Sequence, residues 1–359
     1  MNDAMVDASW RLSGDDLRAW LDRLVKRGFS VVAPVEEEPG LTLFREITTS
    51  NEAVLEPSGK CRWSPKEFLF PKSEPLYSFR MDGSSVQISD PKATDQEQVL
   101  AGVRPCDATG LARLDDSFLS RQVDPMYRLR RERTTVVSLA CAGADSECFC
   151  TAVGGSPAGT VGSDIQLARL DDGWLVCSLS DRGRELLGND PENWEPAAEV
   201  DLEAVTSMGQ RVSEEMDRSP VLREWSEVLE GGFSEHTWDE LAWHCMECSA
   251  CAYVCPSCSC FDMNQHGTAW GGEQSRSWDS CTFELFTRHA SGHNPRETRG
   301  QRYRQRVLHK FAFRDDEQQD FRCVGCGRCI TVCPAGMDIL DVVRRAVEAF
   351  EGGRDGAAG

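Results

Sequence analysis

The apolar positions near the start of the chain predict a capped helix followed by a strand. Ser13 is a suitable N-cap, Gly28 stands where the helix would end, and residues 31–35 form a valine-rich, strand-like run. Between the cap and the glycine the apolar residues recur at helical spacing. These apolar residues are Leu17, Leu21 and Leu24.

Strand and helix patterns then alternate. Residues 98–103 form a short apolar run, residues 108–119 continue with helical periodicity, and residues 134–140 form a β-branched run. The order strand, turn, helix, strand predicts an α/β layer with parallel strands. The stretch from residue 40 to residue 97 gives only short strand-like runs with proline-rich breaks.

A hairpin and a charged helical segment complete the first predicted domain. Residues 165–170 and 174–179, joined by an Asp-Asp-Gly turn, predict a β-hairpin. Residues 181–230 are mostly charged and helical in pattern. A boundary near residue 232 fits, because cysteine motifs begin soon after it. We therefore predict an N-terminal α/β domain over residues 1–232.

The rest of the chain predicts a ferredoxin-like second domain, so the fold class is α+β. This domain covers residues 233–352 and contains two similar cysteine runs, separated by a long insertion at about residues 261–310. An amphipathic helix closes the domain, and residues 353–359 form a flexible Gly/Ala tail. The apolar positions of the helix are Met337, Leu340, Val343, Val347 and Phe350.

Composition and charge narrow the classes of function. The chain has 359 residues, 40% of them hydrophobic, and a formal net charge of −20. No window reaches the roughly 20 apolar residues of a membrane span, and the negative field repels nucleic acid and anionic membranes. The 17 cysteines, mostly in metal-binding spacing, indicate metal sites rather than disulfides and a reducing compartment. We therefore expect a cytoplasmic protein that binds neither nucleic acid nor membrane.

The two cysteine runs predict two iron–sulfur clusters. Each run reads C-x2-C-x2-C-x3-C-P, from Cys245 to Pro256 and from Cys323 to Pro334. In this bacterial ferredoxin pattern, three thiolates hold one [4Fe–4S] cluster and the fourth reaches across to the other. A structural zinc site usually uses two C-x2-C pairs instead. The predicted ligands are Cys245, Cys248, Cys251 and Cys333 for cluster 1, and Cys323, Cys326, Cys329 and Cys255 for cluster 2.

Four cysteines of the first domain form a third candidate site. Cys106 and Cys141 each follow a predicted strand, and Cys148 and Cys150 lie in a loop soon afterwards. The carboxyl ends of parallel strands meet at one sheet edge, where ligands bind. Four thiols there would hold cluster 3, a further [4Fe–4S] cluster, or a single zinc ion. Buried cysteines without any metal are a third interpretation.

Five cysteines remain outside these sets. Cys61 and Cys177 fit ordinary packed or surface thiols. Two interpretations stay open for Cys258, Cys260 and Cys281. They form a further redox site, or they pack near cluster 2.

Motifs for other chemistry are absent from the sequence. No Gly-rich loop follows a strand into a helix, so neither a dinucleotide site nor a Walker phosphate site is visible. The paired cysteine motifs of a nickel-iron active site are missing as well, and the histidines are scattered without zinc-ligand spacing. The chain thus carries parts for electron transfer, and we expect no catalytic centre of its own.

Several stretches resemble the iron–sulfur beta subunit of cytoplasmic sulfhydrogenases, which are NADP-linked nickel-iron hydrogenases, a family shared with the iron–sulfur electron-transfer subunit of anaerobic sulfite reductase. The Cys-Phe-Cys, Trp-Asp-Ser-Cys and Gly-His-Asn elements are the most family-specific. The resemblance rests on Phe68-Leu69-Phe70-Pro71-Lys72, Pro105-Cys106-Asp107 with Gly110-Leu111, Cys148-Phe149-Cys150, Asp172-Gly173-Trp174-Leu175-Val176, Cys255-Pro256-Ser257-Cys258-Ser259-Cys260, Trp278-Asp279-Ser280-Cys281, Gly292-His293-Asn294 and the second ferredoxin run.

The resemblance implies an electron-transfer subunit of an oxidoreductase complex. Such a subunit passes single electrons between a flavoprotein partner, which carries FAD and handles NAD(P)H, and a catalytic partner. In sulfhydrogenases the catalytic partner is a nickel-iron hydrogenase with a small and a large subunit. In anaerobic sulfite reductase it is a sirohaem subunit, and the same relay would serve other flavin-linked reductases.

Two other classes of function remain as alternatives. The N-terminal domain could be an enzyme that binds a small substrate at the third thiol set, which would need an open iron or a reactive thiolate. The clusters could also be purely structural and hold the fold, as zinc does elsewhere. Neither alternative is favoured by a motif in this sequence.

Overall fold

The computed structural model describes residues 8–56, 59–91, 96–188, 190, 194–216, 221, 223–234, 236–313 and 320–356, with the side chains described up to residue 351. Two compact units make up the chain. The first comprises Met1–Leu69, Thr94–Ser219 and Val324–Cys326, and the second comprises Phe70–Ala93, Pro220–Cys323 and Gly327–Gly359. Compactness alone does not test where an independently folding domain ends, so the boundary at residue 232 stays a prediction.

The secondary structure is mixed helix and sheet, as an α+β class requires. The strands are β1 (Ala8–Leu12), β2 (Ser30–Glu38), β3 (Leu41–Ile47), β4 (Ser73–Asp82), β5 (Ser85–Ser89), β6 (Gln98–Val103), β7 (Thr134–Leu139), β8 (Ile165–Leu170), β9 (Gly173–Ser178), β10 (Glu195–Pro196), β11 (Phe261–Thr268) and β12 (Gly271–Trp278). The helices are α1 (Gly14–Lys26), α2 (Pro105–Leu119), α3 (Pro125–Glu132), α4 (Asp181–Leu187), α5 (Glu199–Glu215), α6 (Trp225–Gly231), α7 (Thr237–Leu241), α8 (Ala250–Tyr253), α9 (Arg299–Phe311), α10 (Arg328–Thr331) and α11 (Ile339–Gly356).

The first unit is built on a sheet in the order β10-β1-β9-β8-β7-β6-β2-β3. The central pairs β2–β6, β6–β7 and β7–β8 are parallel, which confirms the predicted parallel layer. The outer pairs are antiparallel, including the predicted β8–β9 hairpin. Helix α1 begins at Ser13, whose side chain accepts a hydrogen bond from the amide of Asp16, and it buries Trp20 with the predicted leucines in the core.

The region predicted to be charged helix is only partly helical. Helices α4, α5 and α6 lie in it, but β10 falls between α4 and α5 and pairs with β1. A two-residue strand has no periodic pattern of its own. Its position follows from the antiparallel pairing of Trp10 with Pro196 and of Arg11 with Glu195.

The second unit contains an antiparallel sheet in the order β11-β12-β4-β5. Strands β4 and β5 come from the stretch that the sequence patterns resolved least, and β4 pairs with β12 of the insertion. Nearly two hundred residues separate the paired strands, as Ser73 pairs with Ser277, so no local pattern announces the pairing. The side chains of Glu74 and Arg276 form a buried ion pair between these two strands.

Helices α6, α7, α9 and α11 pack together in the second unit. The predicted amphipathic helix is confirmed as α11, whose apolar face is buried. Its Phe350 ring lies 5.4 Å from the ring of Trp238. The helix runs to Gly356, four residues into the predicted tail, and residues 357–359 lie outside the described part of the chain.

Candidate metal centres

The cysteines predicted to bind cluster 1 face one cavity in the second unit. Cys245, Cys248 and Cys251 line this cavity together with Cys333 from the second cysteine run. The crossing of Cys333 to the first run is the interleaving that the spacing predicts. Tyr303 and Arg306 of α9 close another side of the same cavity.

Both cysteine runs adopt the same left-handed backbone at matching positions. In the first run Glu247 and Ser249 have φ angles of 55° and 62°, and in the second run Gly325 and Gly327 have φ angles of 63° and 73°. Positive φ is costly for residues other than glycine and persists where the surroundings enforce it. The sequence showed the repeated cysteines, whereas this shared bend becomes visible only in the backbone.

Backbone amides point at the sulfurs of this cavity. The amide of Met337 donates a hydrogen bond to Sγ of Cys333 at 3.3 Å, and the amide of Glu247 donates one to the thiol of Cys245. Hydrogen bonds to cysteine sulfurs stabilise the thiolate form and set the potential of an iron–sulfur cluster. The donor set, cysteines only with amides aimed at sulfur, therefore fits a [4Fe–4S] cluster.

The cysteines predicted to bind cluster 2 are divided between the two units. Cys255, Cys323 and Cys329 belong to the second unit, whereas Cys326 lies in the segment Val324–Cys326 of the first unit. The grouping of these four thiols therefore stays a prediction from the spacing of the two runs.

Cys255 has a buried lysine beside it. Nζ of Lys310 lies 3.2 Å from Sγ of Cys255 and 2.9 Å from Oγ of Ser257. A hydrogen bond from Cys258 lowers the pKa of Cys255 well below its usual value; burial opposes this shift, and Lys310 and Arg306 reinforce it. Burial alone would lower the pKa of Lys310, but the negative charge of Cys255 and its neighbouring thiolates outweighs burial and raises it.

Sequence reasoning missed these cations, although α9 carried a signal. Lys310 and Arg306 are only 4% and 3% exposed and stand four residues apart, so they share a face of the helix. Tyr303 and Val307, the apolar residues that neighbour them at helical spacing, are buried too. A basic residue at a core position of an amphipathic helix was the available clue.

The third predicted set lies in the first unit, at the carboxyl edge of the sheet. Cys106, at the start of α2, lines one cavity with Cys141 and Cys148. Cys150 does not line that cavity. Its Sγ lies 4.0 Å from Sδ of Met216, although Cys150 is close enough to Cys141 and Cys148 to interact with them electrostatically.

Basic side chains surround this third set as well. Nζ of Lys60 lies 3.6 Å from Sγ of Cys148 and also pairs with Asp145. Burial raises the pKa of Cys141, and the Arg104 guanidinium partly offsets that shift. Burial also raises the pKa of Cys150, to about 12. The two cations make the cavity suited to thiolates, and hence to a metal centre.

The loop of the third set touches a part of the second cysteine run. The amide of Phe149 donates a hydrogen bond of 2.8 Å to the carbonyl oxygen of Gly325. A Cβ atom on Gly325 would lie 2.5 Å from the backbone nitrogen of Cys150, which is too close for any side chain. Glycine is therefore required at this position by both its φ angle and its neighbours.

The cysteines without an assigned role differ in their surroundings. Cys61 and Cys177 are buried in the first unit, as expected for packed thiols. Cys258, Cys260 and Cys281 lie near one another in the second unit. Across the described ranges, no three His, Cys, Asp or Glu side chains converge on a point where a single metal ion could be held. A cubane differs in this respect, because each cysteine binds a different iron.

Two comparisons with known proteins bear on these sites. The family described as "4Fe-4S dicluster domain" matches residues 244–337, which contain the two cysteine runs. Sulfhydrogenase 2 subunit beta of Pyrococcus furiosus is 32% identical over 308 residues, covering 85% of this chain and 89% of the relative. The first comparison confirms that the runs form a [4Fe–4S] domain. None of the described helices has the length and apolar character that crossing a bilayer requires.

Proposed function

This chain belongs to the family of sulfhydrogenase beta subunits, and from that premise we propose which path its electrons take. It is an iron–sulfur electron-transfer subunit. Its [4Fe–4S] clusters pass single electrons between a flavoprotein subunit that carries FAD and oxidises or reduces NAD(P)H, and a catalytic subunit. The catalytic partner is a nickel-iron hydrogenase, as the name of the Pyrococcus relative suggests.

One observation supports the relay more than any other. Four cysteines from two distant runs line one cavity, and backbone amides donate hydrogen bonds to two of them, Cys245 and Cys333. Cubane clusters accept and release one electron at a time. A chain of them divides the two-electron chemistry of a flavin into single steps, which is what a subunit between a flavin and a hydrogenase must do.

We assign three clusters to the chain. Cluster 1 takes Cys245, Cys248, Cys251 and Cys333, and cluster 2 takes Cys323, Cys326, Cys329 and Cys255. Cluster 3 takes Cys106, Cys141, Cys148 and Cys150, and the cations of Lys60 and Arg104 stabilise its thiolates. When bound, the clusters supply the redox chemistry, while the chain's own groups hold the sulfurs and adjust the local charge.

Cluster 1 is the point of exchange with a partner subunit. Cys248 is exposed, and Met246 and Trp243 on either side of Cys245 are 67% and 71% exposed. The neighbouring groove of the second unit includes the carboxylates of Asp239 and Asp341. A partner that docks here would offer apolar and basic side chains, because the chain as a whole is strongly acidic.

Purification of the native complex tests the assignment of partners. We expect a flavoprotein and two further subunits to co-elute with this chain, and the complex to contain nickel and FAD. A sirohaem absorbance spectrum in place of nickel would assign the chain to a sulfite reductase complex instead. Turnover of a small substrate by the isolated chain with an artificial donor would contradict the relay.

Metal analysis of the reconstituted chain tests the clusters. Three cubanes require about twelve irons per chain and more than one [4Fe–4S] signal in electron paramagnetic resonance (EPR) spectra after dithionite reduction. Cys248→Ser should remove the signal of cluster 1 alone, and Cys141→Ser that of cluster 3 alone. Iron near eight per chain would eliminate cluster 3, and iron near four would eliminate the relay. Cys177→Ala, which changes a buried thiol outside the three sets, is the matched control.

A further inference from the structure

Cys260 and Cys281 are brought together by the hairpin of the second unit. Cys260 directly precedes β11, and Cys281 follows β12 by three residues. The first residue of β11 pairs with the last of β12, and the amide of Asp279 donates a 3.0 Å hydrogen bond to the carbonyl of Cys260. The two thiols are close enough to hydrogen-bond with each other.

Cys258 extends this pair to a set of three. It is buried and packs against Cys255 and Ala252, with its thiol hydrogen-bonded to that of Cys255. It also lies close enough to Cys281 for the two sulfurs to interact electrostatically. Cys258 and Cys281 are 9% and 8% exposed. Three thiols that neither ferredoxin run uses therefore lie together in the interior of the second unit.

Two buried cations of α9 stand beside these thiols. The ammonium group of Lys310 donates hydrogen bonds to Sγ of Cys255 and Oγ of Ser257, and neither acceptor is a carboxylate. Arg306 donates from Nη2 to the carbonyl of Cys251 at 3.4 Å. Its Nη1 is buried and has no hydrogen-bond acceptor among the residues that the structure describes.

The charge of these cations requires an anionic partner. Removing a cation from water is strongly unfavourable unless a negative group compensates it. The groups that face Arg306 are thiols, namely those of Cys251, Cys255, Cys258 and Cys329, with Cys281 also within its field. More thiols surround the two cations than the ferredoxin runs account for, so the additional cysteines contribute to the balance as thiolates. Buried thiolates are stable when they bind metal.

We propose that Cys258, Cys260 and Cys281 hold an additional [4Fe–4S] cluster in the second unit, with Arg306 and Lys310 as its buried counter-charges. Thiolate donors select iron–sulfur clusters, zinc or copper(I), and the neighbouring runs already bind clusters of the first kind. Cluster binding replaces the thiol–thiol hydrogen bonds of the set. Cys255 belongs to cluster 2, so this cubane has three cysteine ligands and one iron that takes another ligand. The inference rests on the proposed cluster-binding function of the same unit.

The test compares the reconstituted full chain with the triple variant Cys258→Ser, Cys260→Ser and Cys281→Ser. The variant should lose about four irons and four sulfides per chain and keep the EPR signals of the ferredoxin clusters. Cys177→Ala should lose none. Equal iron in wild type and triple variant would overturn the inference, and so would zinc at these cysteines.

A second measurement needs no variant and therefore holds even if the triple variant fails to fold. A cubane with one iron that lacks a cysteine ligand readily loses that iron on mild oxidation. The wild-type chain should then show the EPR signal of a [3Fe–4S] cluster, and added ferrous ion should convert it back. Absence of this signal in a chain that holds the other clusters would contradict this inference alone. A wild-type chain without any [4Fe–4S] cluster would contradict the proposed function itself.

Discussion

Nζ of Lys310 lies 3.2 Å from Sγ of Cys255, and both side chains are buried. A positive charge at that distance stabilises the more negative, reduced form of a cluster bound through Cys255. Lys310→Met should therefore lower the midpoint potential of cluster 2. A unit charge roughly 5 Å away at an effective dielectric constant of about 20 contributes about 3 kcal/mol, on the order of 100 mV for a one-electron couple.

Redox titration followed by EPR measures this shift. Arg304→Met is the matched control, because Arg304 lies on the same helix but its guanidinium sits 3.6 Å from the ring centroid of Phe233. We expect a change of no more than about 20 mV in the control, since its distance from the thiols weakens the interaction. A potential that stays the same in Lys310→Met would mean that Cys255 does not bind a cluster.

Gly325 is the position in the first unit where an added methyl group should cost most. Its φ angle is 63°, and a Cβ atom would lie 2.5 Å from the carbonyl oxygen of Phe149. Gly325→Ala should destabilise the protein by roughly 3–5 kcal/mol, because the left-handed backbone and the backbone contact both oppose the methyl group. Chemical denaturation under anaerobic conditions measures the loss.

Gly154→Ala separates the two contributions. Gly154 has a φ angle of 82°, but nothing lies within 4 Å of an added Cβ atom, so this variant should lose only about 1–2 kcal/mol. Gly325→Ala should also retain less iron than Gly154→Ala, since it displaces the loop that carries Cys148 and Cys150. Equal losses in the two variants would show that the contact with Phe149 is unimportant.

The sequence predicted the chemistry of the chain better than its topology. The doubled run identified the [4Fe–4S] domain, and the family motifs identified the sulfhydrogenase beta subunits, because ligand spacing and short motifs are local properties. Strands β4 and β5 had no comparable signal. Their partner β12 is far away in sequence, and β5 is exposed along its whole length, so its residues show no apolar alternation.

Charge inside the protein was equally hidden from the sequence. Arg306 and Lys310 occupy core positions of α9, where periodicity alone would place apolar residues. Glu74 and Arg276 lie in strands that pair only in three dimensions. A buried cation can be assigned a role only when the groups around it are known, and those groups come from distant parts of the chain.

The buried pair of Glu74 and Arg276 should be important for the sheet of the second unit. Both side chains are nearly inaccessible, and the guanidinium of Arg276 lies 5.3 Å from the ring centroid of Phe70. Arg276→Met leaves the Glu74 carboxylate buried without this partner, which should cost about 3–5 kcal/mol. The midpoint of urea denaturation reports the change.

An exposed ion pair provides the comparison. Arg45 and Glu37 pair on the surface of the first unit, with side chains 47% and 38% exposed. Arg45→Met should cost less than about 1 kcal/mol. If Arg276→Met were as mild as this control, the buried pair would not stabilise the sheet, and the positions of Cys260 and Cys281 at the ends of the hairpin would depend on other contacts.

His309 should make stability depend on pH. Burial, followed by the charges of Lys310 and Arg322, lowers the pKa of His309 to about 4, whereas a histidine in an unfolded chain titrates near 6.5. Between these values the unfolded chain binds more protons than the folded one, so stability falls as the pH falls. The full contribution is present above pH 6.5, and about 1–2 kcal/mol of it should be lost by pH 5.5.

Denaturation midpoints at pH 7.5 and pH 5.5, measured without oxygen, test this linkage through His309→Gln. The variant has no titrating imidazole at this position, so its stability should fall by about 1–2 kcal/mol less than that of the wild type between the two pH values. His266→Gln, at an exposed position of β11, should follow the wild type. Because acid also releases iron from clusters, iron per chain is measured in the same samples. Parallel losses in wild type and His309→Gln at equal iron content would show that the imidazole of His309 is not kept neutral by the fold.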